Sequence, residues 1–182
     1  MNEQAFALLI TWTCYGTWLP GDERGYVANT RSTSGGFQPL HNIPGTRVDS
    51  DDADSRLLAR SLQKGTTVLL TPTQAMVAAE ALVAAAAIRD WRIHRGAVMA
   101  NHVHLVVVKC PDDGPAVRRV FKGVADSSLR KRFPSTGRWW TQGGSNRYLH
   151  GESAIVAAAR YVENQEFCLA QIDDNVVMRI DG

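Results

Sequence analysis

Cysteine is scarce in this chain of 182 residues: Cys14, Cys110 and Cys168 are the only three. Their number is odd and no C-x-x-C pair occurs, so neither a zinc knuckle nor a disulfide framework is indicated. Each thiol reads as a small buried apolar side chain in a reducing compartment. Long apolar runs are missing too; nothing approaches the roughly 20 residues that a membrane span needs. The opening M-N-E-Q-A-F-A-L-L-I carries an acid and no basic lead, unlike a signal peptide. The expected address is the cytoplasm, with no membrane partner. An excess of one charge is also lacking. Twenty Lys and Arg against 18 Asp and Glu leave +2, so the overall balance neither requires nor forbids a polyanionic partner. Any electrostatic argument has to be local.

What is present suffices for one domain with a real core. We expect a single domain over 1–182 with a loop-rich insertion at about 25–65, where Gly, Ser, Asn, Asp and Pro accumulate. Inside it, only D-A-D-S-R-L-L-A-R-S-L around Asp52–Leu62 hints at a helix. Ala5–Thr17 is β-branched and aromatic, and stops at the Leu19-Pro20-Gly21-Asp22 turn. Thr71-Pro72-Thr73-Gln74 spells a capping box with Pro at the first helical position. Val77, Ala81, Ala84 and Ile88 then recur at helical spacing. Strands are predicted over Trp91–Met99 and His102–Lys109, a helix over Asp113–Phe133, short strands over Arg138–Gln142 and Asn146–His150, and a last helix over Glu152–Ala170. This order describes an α+β fold, a mostly antiparallel sheet flanked by helices.

One strand is unusual. M-A-N-H-V-H-L-V-V-V-K-C, Met99–Cys110, has the apolar character of a buried strand yet carries two imidazoles. Alternation puts His102 and His104 on one side with Val106 and Val108, while Val103, Leu105 and Val107 face the other. Imidazoles about 7 Å apart along a strand can converge on one divalent cation. Spacing alone equally admits two half-exposed residues on a polar strand face. Asn101 can support the pair or simply shape the turn. On the last predicted helix, Tyr161 and Gln165 stand i,i+4 on one face. Ala157 and Ala158 leave that face uncrowded, and Ile155, Val162 and Leu169 form a separate apolar stripe.

Basic residues crowd R-R-V-F-K-G-V-A-D-S-S-L-R-K-R, Arg118–Arg132, with Asp126 the lone acid. By composition alone this is a solvated helix face; beside an H-x-H strand, Arg118, Arg119, Lys122, Arg130, Lys131 and Arg132 are expected to make a phosphate-binding helical surface. Trp139 and Trp140, followed by Gln142, Arg147 and Tyr148, offer base-stacking and backbone contacts, with at least one Trp expected in the core. Trp140 and Arg147 are the candidates among these.

M-A-N-H-V-H-L-V-V, a basic helix, W-W-x-Q and then Y-x-x-x-Q resemble the HUH single-tyrosine transposases, the insertion-sequence enzymes and their REP-associated relatives. The opening I-T-W-T-C-Y-G-T-W-L-P-G-D resembles the first strand of one branch. The likeness covers most of the chain outside Gly25–Gly65. It implies a ferredoxin-like, HUH-type sandwich, with His102 and His104 ligating Mg²⁺ or Mn²⁺, Gln165 as third ligand and Tyr161 as nucleophile. It also implies cleavage and rejoining of single-stranded DNA at hairpin sites through a 5′-phosphotyrosine, at the nucleoid, by a monomer or a homodimer. One departure stands out: many REP-associated members follow the tyrosine with Asn-Pro. Here Glu163-Asn164-Gln165 follows, which makes Asn164 the alternative ligand. Two other functions are compatible with the same residues, a domesticated hairpin DNA or RNA binder and an unrelated metal-dependent hydrolase in which Tyr161 is dispensable.

Overall fold

A computed structural model describes residues 6–19, 53–110, 113–134 and 137–180. The chain divides into two compact units, Met1–Cys14 with Val68–Gly182, and Tyr15–Thr67. The second unit holds helix α1 (Ala53–Ser61). Residues 25–52 of the expected insertion lie outside the described residues.

Among its described residues the first unit has six strands: β1 (Phe6–Thr13), β2 (Arg92–Met99), β3 (His102–Val108), β4 (Ser145–His150), β5 (Cys168–Asp173) and β6 (Val176–Arg179). They form one sheet in the order β4-β1-β3-β2-β5-β6, and every pairing is antiparallel. With helices α2 (Pro72–Ile88), α3 (Gly114–Arg132) and α4 (Glu152–Glu163) against it, this is the expected α+β architecture.

Local signals account for the helix starts. Thr71 Oγ1 accepts from Gln74 N, and Gln74 Oε1 accepts from Thr71 N, which closes the capping box ahead of Pro72. Asp113 Oδ1 accepts from Ala116 N at 2.8 Å at the start of α3. Helix α2 turns a different face inward from the one its valine and isoleucine suggest. Ala75, Ala78, Ala79, Leu82, Ala85 and Ala86 are buried, whereas Ala84 and Ile88 are exposed. Alanines let a helix backbone come close to its neighbours, so the small-residue face packs and the bulky Ile88 projects outward. Helix α3 buries Val117, Phe121, Ala125 and Leu129 at i,i+4 spacing.

Alternation in the strands separates two apolar layers. Leu8, Ile10 and Trp12 of β1 join Val103, Leu105 and Val107 of β3 in the core shared with α2 and α3. Ala7, Ala97, Met99, Val106 and Leu149 face the other way and meet Ala158 and Val162 of α4. The sheet thus lies between α2 and α3 on one side and α4 on the other.

Two expectations need correction. Arg138–Gln142 forms no strand; it contributes only an isolated bridge between Trp140 and Cys14. The last helix stops at Glu163, with Asn164 as its cap, and Leu169 belongs to β5 instead of a helical stripe. C-L-A-Q-I-D alternates buried and half-buried positions, which is the strand period. Asp174 and Asn175, both at positive φ, make the tight turn into β6. Alanines upstream carried the helical reading past this break.

Candidate active site

His102 and His104 lie on the α4 side of β3, opposite Thr13 and Thr11 of β1 respectively. Their ring centroids are 4.7 Å apart at an interplanar angle of 84°, closer than the strand repeat of about 7 Å, because the side chains lean together. His104 is only 6% exposed. Its Nδ1 is 2.7 Å from Thr11 Oγ1. His102 is half-buried, with Nδ1 2.6 Å from Asn101 Oδ1. Asn101 therefore serves both the β2–β3 turn and the imidazole beside it. An amide oxygen can only accept, so His102 donates from Nδ1, and the neutral ring then has its lone pair on Nε2.

Tyr161 reaches this pair from α4. The helix begins after Gly151, whose φ of 81° suits glycine, and is seated on the sheet by Ala158 and Val162. Its last turn brings the Tyr161 ring 5.3 Å from that of His104, edge-on at 72°. With 51% exposure, the tyrosine rests on the buried imidazole while remaining open to an incoming group. Gln165 stands one residue beyond the helix cap, and its Nε2 donates to Tyr161 O at 3.0 Å. Three of the four nominated residues form a continuous chain of ring contacts, His102–His104–Tyr161. The fourth is tied to the tyrosine's own main chain.

Burial, and secondarily the proximity of His102, push the His104 pKa down to about 3. Its imidazole is neutral at physiological pH and has no proton to lose before coordinating. Among the described residues no group of three or more His, Cys, Asp or Glu could hold a metal ion. A cation here would need an amide oxygen or water beside the two imidazoles, and Gln165 Oε1 supplies that donor type. Such a mixed nitrogen and oxygen set fits a divalent cation, and suits Mn²⁺ at least as well as Mg²⁺.

The basic helix is elsewhere. Helix α3 packs on the far side of the sheet from the imidazoles. Arg118 donates to Gly144 O at 2.5 Å, and Lys122 donates to Thr141 O and Gly143 O at 2.5 and 2.7 Å. Burial, with Arg118 nearby, lowers the Lys122 pKa to about 8. These two cations hold the 141–144 loop, which is itself bonded to the end of β1 through Thr141 N and Thr13 O. Arg130 pairs with Asp126 and donates to Gly137 O. Arg119, Lys131 and Arg132 are exposed. Trp140 is a core residue, 7% exposed and edge-on to Trp12 at 5.9 Å, and in this position it offers no face to a base. Arg147 differs. It is exposed, two residues from buried Leu149 on β4 and opposite Leu9 of β1, so strand alternation sets it on the α4 side with the imidazoles and Tyr161.

Thr11 was not a sequence candidate. Its only signal was a hydroxyl among the apolar positions of β1, and nothing local links it to a histidine 93 residues away. Neither protein-family models nor curated proteins match this chain, so the family likeness stands on its motifs. No helix among the described residues is long and apolar enough to cross a membrane.

Proposed function

We propose that this protein is a divalent-cation-dependent transposase that cuts and rejoins single-stranded DNA at hairpin sites through a 5′-phosphotyrosine on Tyr161. The observation that carries the reading is the contact of the half-exposed Tyr161 ring with His104, itself against His102. The family resemblance implies that meeting, and no local pattern could enforce it between residues 57 positions apart in the chain.

In this reading Tyr161 Oη attacks phosphorus. A phosphorus–tyrosine bond forms, the bond to the 3′-oxygen breaks, and the departing strand leaves with a 3′-hydroxyl. The phenol proton passes to solvent and the 3′-oxygen takes one from it. Reversal by another 3′-hydroxyl restores the phenol. The covalent link conserves the phosphodiester's free energy, so no nucleotide cofactor is needed. His102, His104 and Gln165 would hold the cation, which when bound supplies charge neutralisation at the non-bridging oxygens. Asn101 orients His102, and Arg147 offers a contact for backbone on the same side of the sheet. Such an enzyme works in the cytoplasm at the nucleoid, as a monomer or a homodimer.

The test is incubation with a labelled hairpin oligonucleotide and Mg²⁺ or Mn²⁺, followed by denaturing electrophoresis. A wild-type adduct that vanishes in Tyr161→Phe is expected. Binding without an adduct would mark a non-transposing hairpin binder. Cleavage that survives Tyr161→Phe would mark a metal-dependent hydrolase.

A further inference from the structure

We propose that Thr11 is a positioning residue of this site. Its Oγ1 accepts Nδ1–H of His104 and fixes the imidazole in the tautomer whose Nε2 presents a lone pair. The contact between Thr11 and His104 rests on geometry; the tautomer and the purpose of its lone pair rest on the cation-dependent strand-transfer reading.

Antiparallel pairing puts Thr11 directly across from His104, and Ala97 of β2 flanks the histidine on its other side. The Ala97 methyl offers no hydrogen bond. At 6% exposure water has little access to the ring, so the 2.7 Å contact with Thr11 decides the state of Nδ1. Two directions exist for that bond. If the hydroxyl donated, the Nδ1 lone pair would be spent on Thr11 and the proton would sit on Nε2. If the hydroxyl accepts, Nε2 is left bare.

A cation shared with the neighbouring ring favours the second. Asn101 Oδ1 already holds His102 as the Nδ1–H tautomer, and the rings meet at 4.7 Å. With Thr11 as acceptor, both imidazoles present lone pairs of the same kind, which is what a shared cation requires. With Thr11 as donor, the pair would be mismatched, one lone pair beside one N–H. Strand formation and packing do not by themselves call for a hydroxyl here. Valine has nearly the same shape and at least the same strand preference. The hydroxyl is the one feature of Thr11 that valine lacks, and it is the feature in contact with His104.

The experiment uses ¹⁵N-histidine-labelled full-length protein at neutral pH, with diamagnetic Mg²⁺ in excess for the ring spectra and all cation stripped before the Mn²⁺ titration. Long-range ¹H–¹⁵N correlation reports which ring nitrogen of His104 carries the proton, and Mn²⁺ titration of the protein alone reports affinity. Wild type is expected to show the proton on Nδ1. Thr11→Val should move it wholly or partly to Nε2 and weaken Mn²⁺ binding by about 10- to 100-fold, and Thr11→Ser should restore both. A wild-type proton on Nε2 overturns the proposal, as does a folded Thr11→Val that keeps tautomer and affinity. If Thr11→Val does not fold, wild type and Thr11→Ser decide: Nδ1–H in both supports the assignment, and Nε2–H in either overturns it. The strand-transfer reading fails separately, through a wild-type protein that forms no adduct with the hairpin oligonucleotide.

Discussion

Replacing His104 by Gln should flatten the protein's response to acid. Folded His104 stays neutral down to a pKa of about 3, whereas in the unfolded chain an imidazole titrates near 6.5, the ordinary value. Below that pH the unfolded state binds the extra proton, so stability falls as pH falls, through the window from about 6.5 to about 3. Above the window this residue contributes no slope. One pH unit corresponds to about 1.4 kcal/mol, so by pH 4.5 the linkage amounts to about 3 kcal/mol. Marginally stable domains unfold on losses of that size. Urea unfolding of wild type and His104→Gln between pH 7.5 and 4.5, in chelator so that cation binding adds nothing, isolates the term. Ionisable groups remote from His104 are common to both proteins and cancel in the difference. The stability of wild type relative to the variant should decline steadily below pH 6.5. Parallel curves, or an NMR titration of His104 with a midpoint near 6.5, would refute the reasoning, since burial of the neutral ring is its main basis.

Two further outcomes separate contacts with nucleic acid from contacts within the fold. Arg147→Ala should weaken binding of single-stranded oligonucleotides of any sequence and lower the salt slope by about 0.7, measured by anisotropy across a salt series. Lys122→Ala should leave that slope unchanged and cost about 1–3 kcal/mol in urea unfolding, because the carbonyls of Thr141 and Gly143 lose their donor. The opposite pattern would return phosphate binding to the basic helix. Trp140→Ala should destabilise the fold by about 3–5 kcal/mol; near-wild-type stability with weakened oligonucleotide binding would mean that the indole serves as a surface platform instead.

The sequence by itself determined whatever depends on neighbours within a few residues. H-V-H-L-V-V-V had to send both histidines to one side, because alternation follows from strand geometry. Thr71 and Gln74 had to start a helix, because the orphan donors of its first turn find partners only there. The imidazole pair could be nominated on these grounds, whereas the tyrosine's role was implied by the family resemblance. Tertiary structure alone decided which partners these groups meet. Thr11 reaches His104 by strand register, α3 lies across the sheet from the imidazoles although its charge pattern is that of a phosphate-binding face, and Trp140 is enclosed by the core. Cys168–Asp173 became a strand because β2 was present to pair with it, against the helical drift of the alanines before it. Register and layer assignment arise from pairing between distant segments, and such pairing leaves no period in the chain that could be read before it folds.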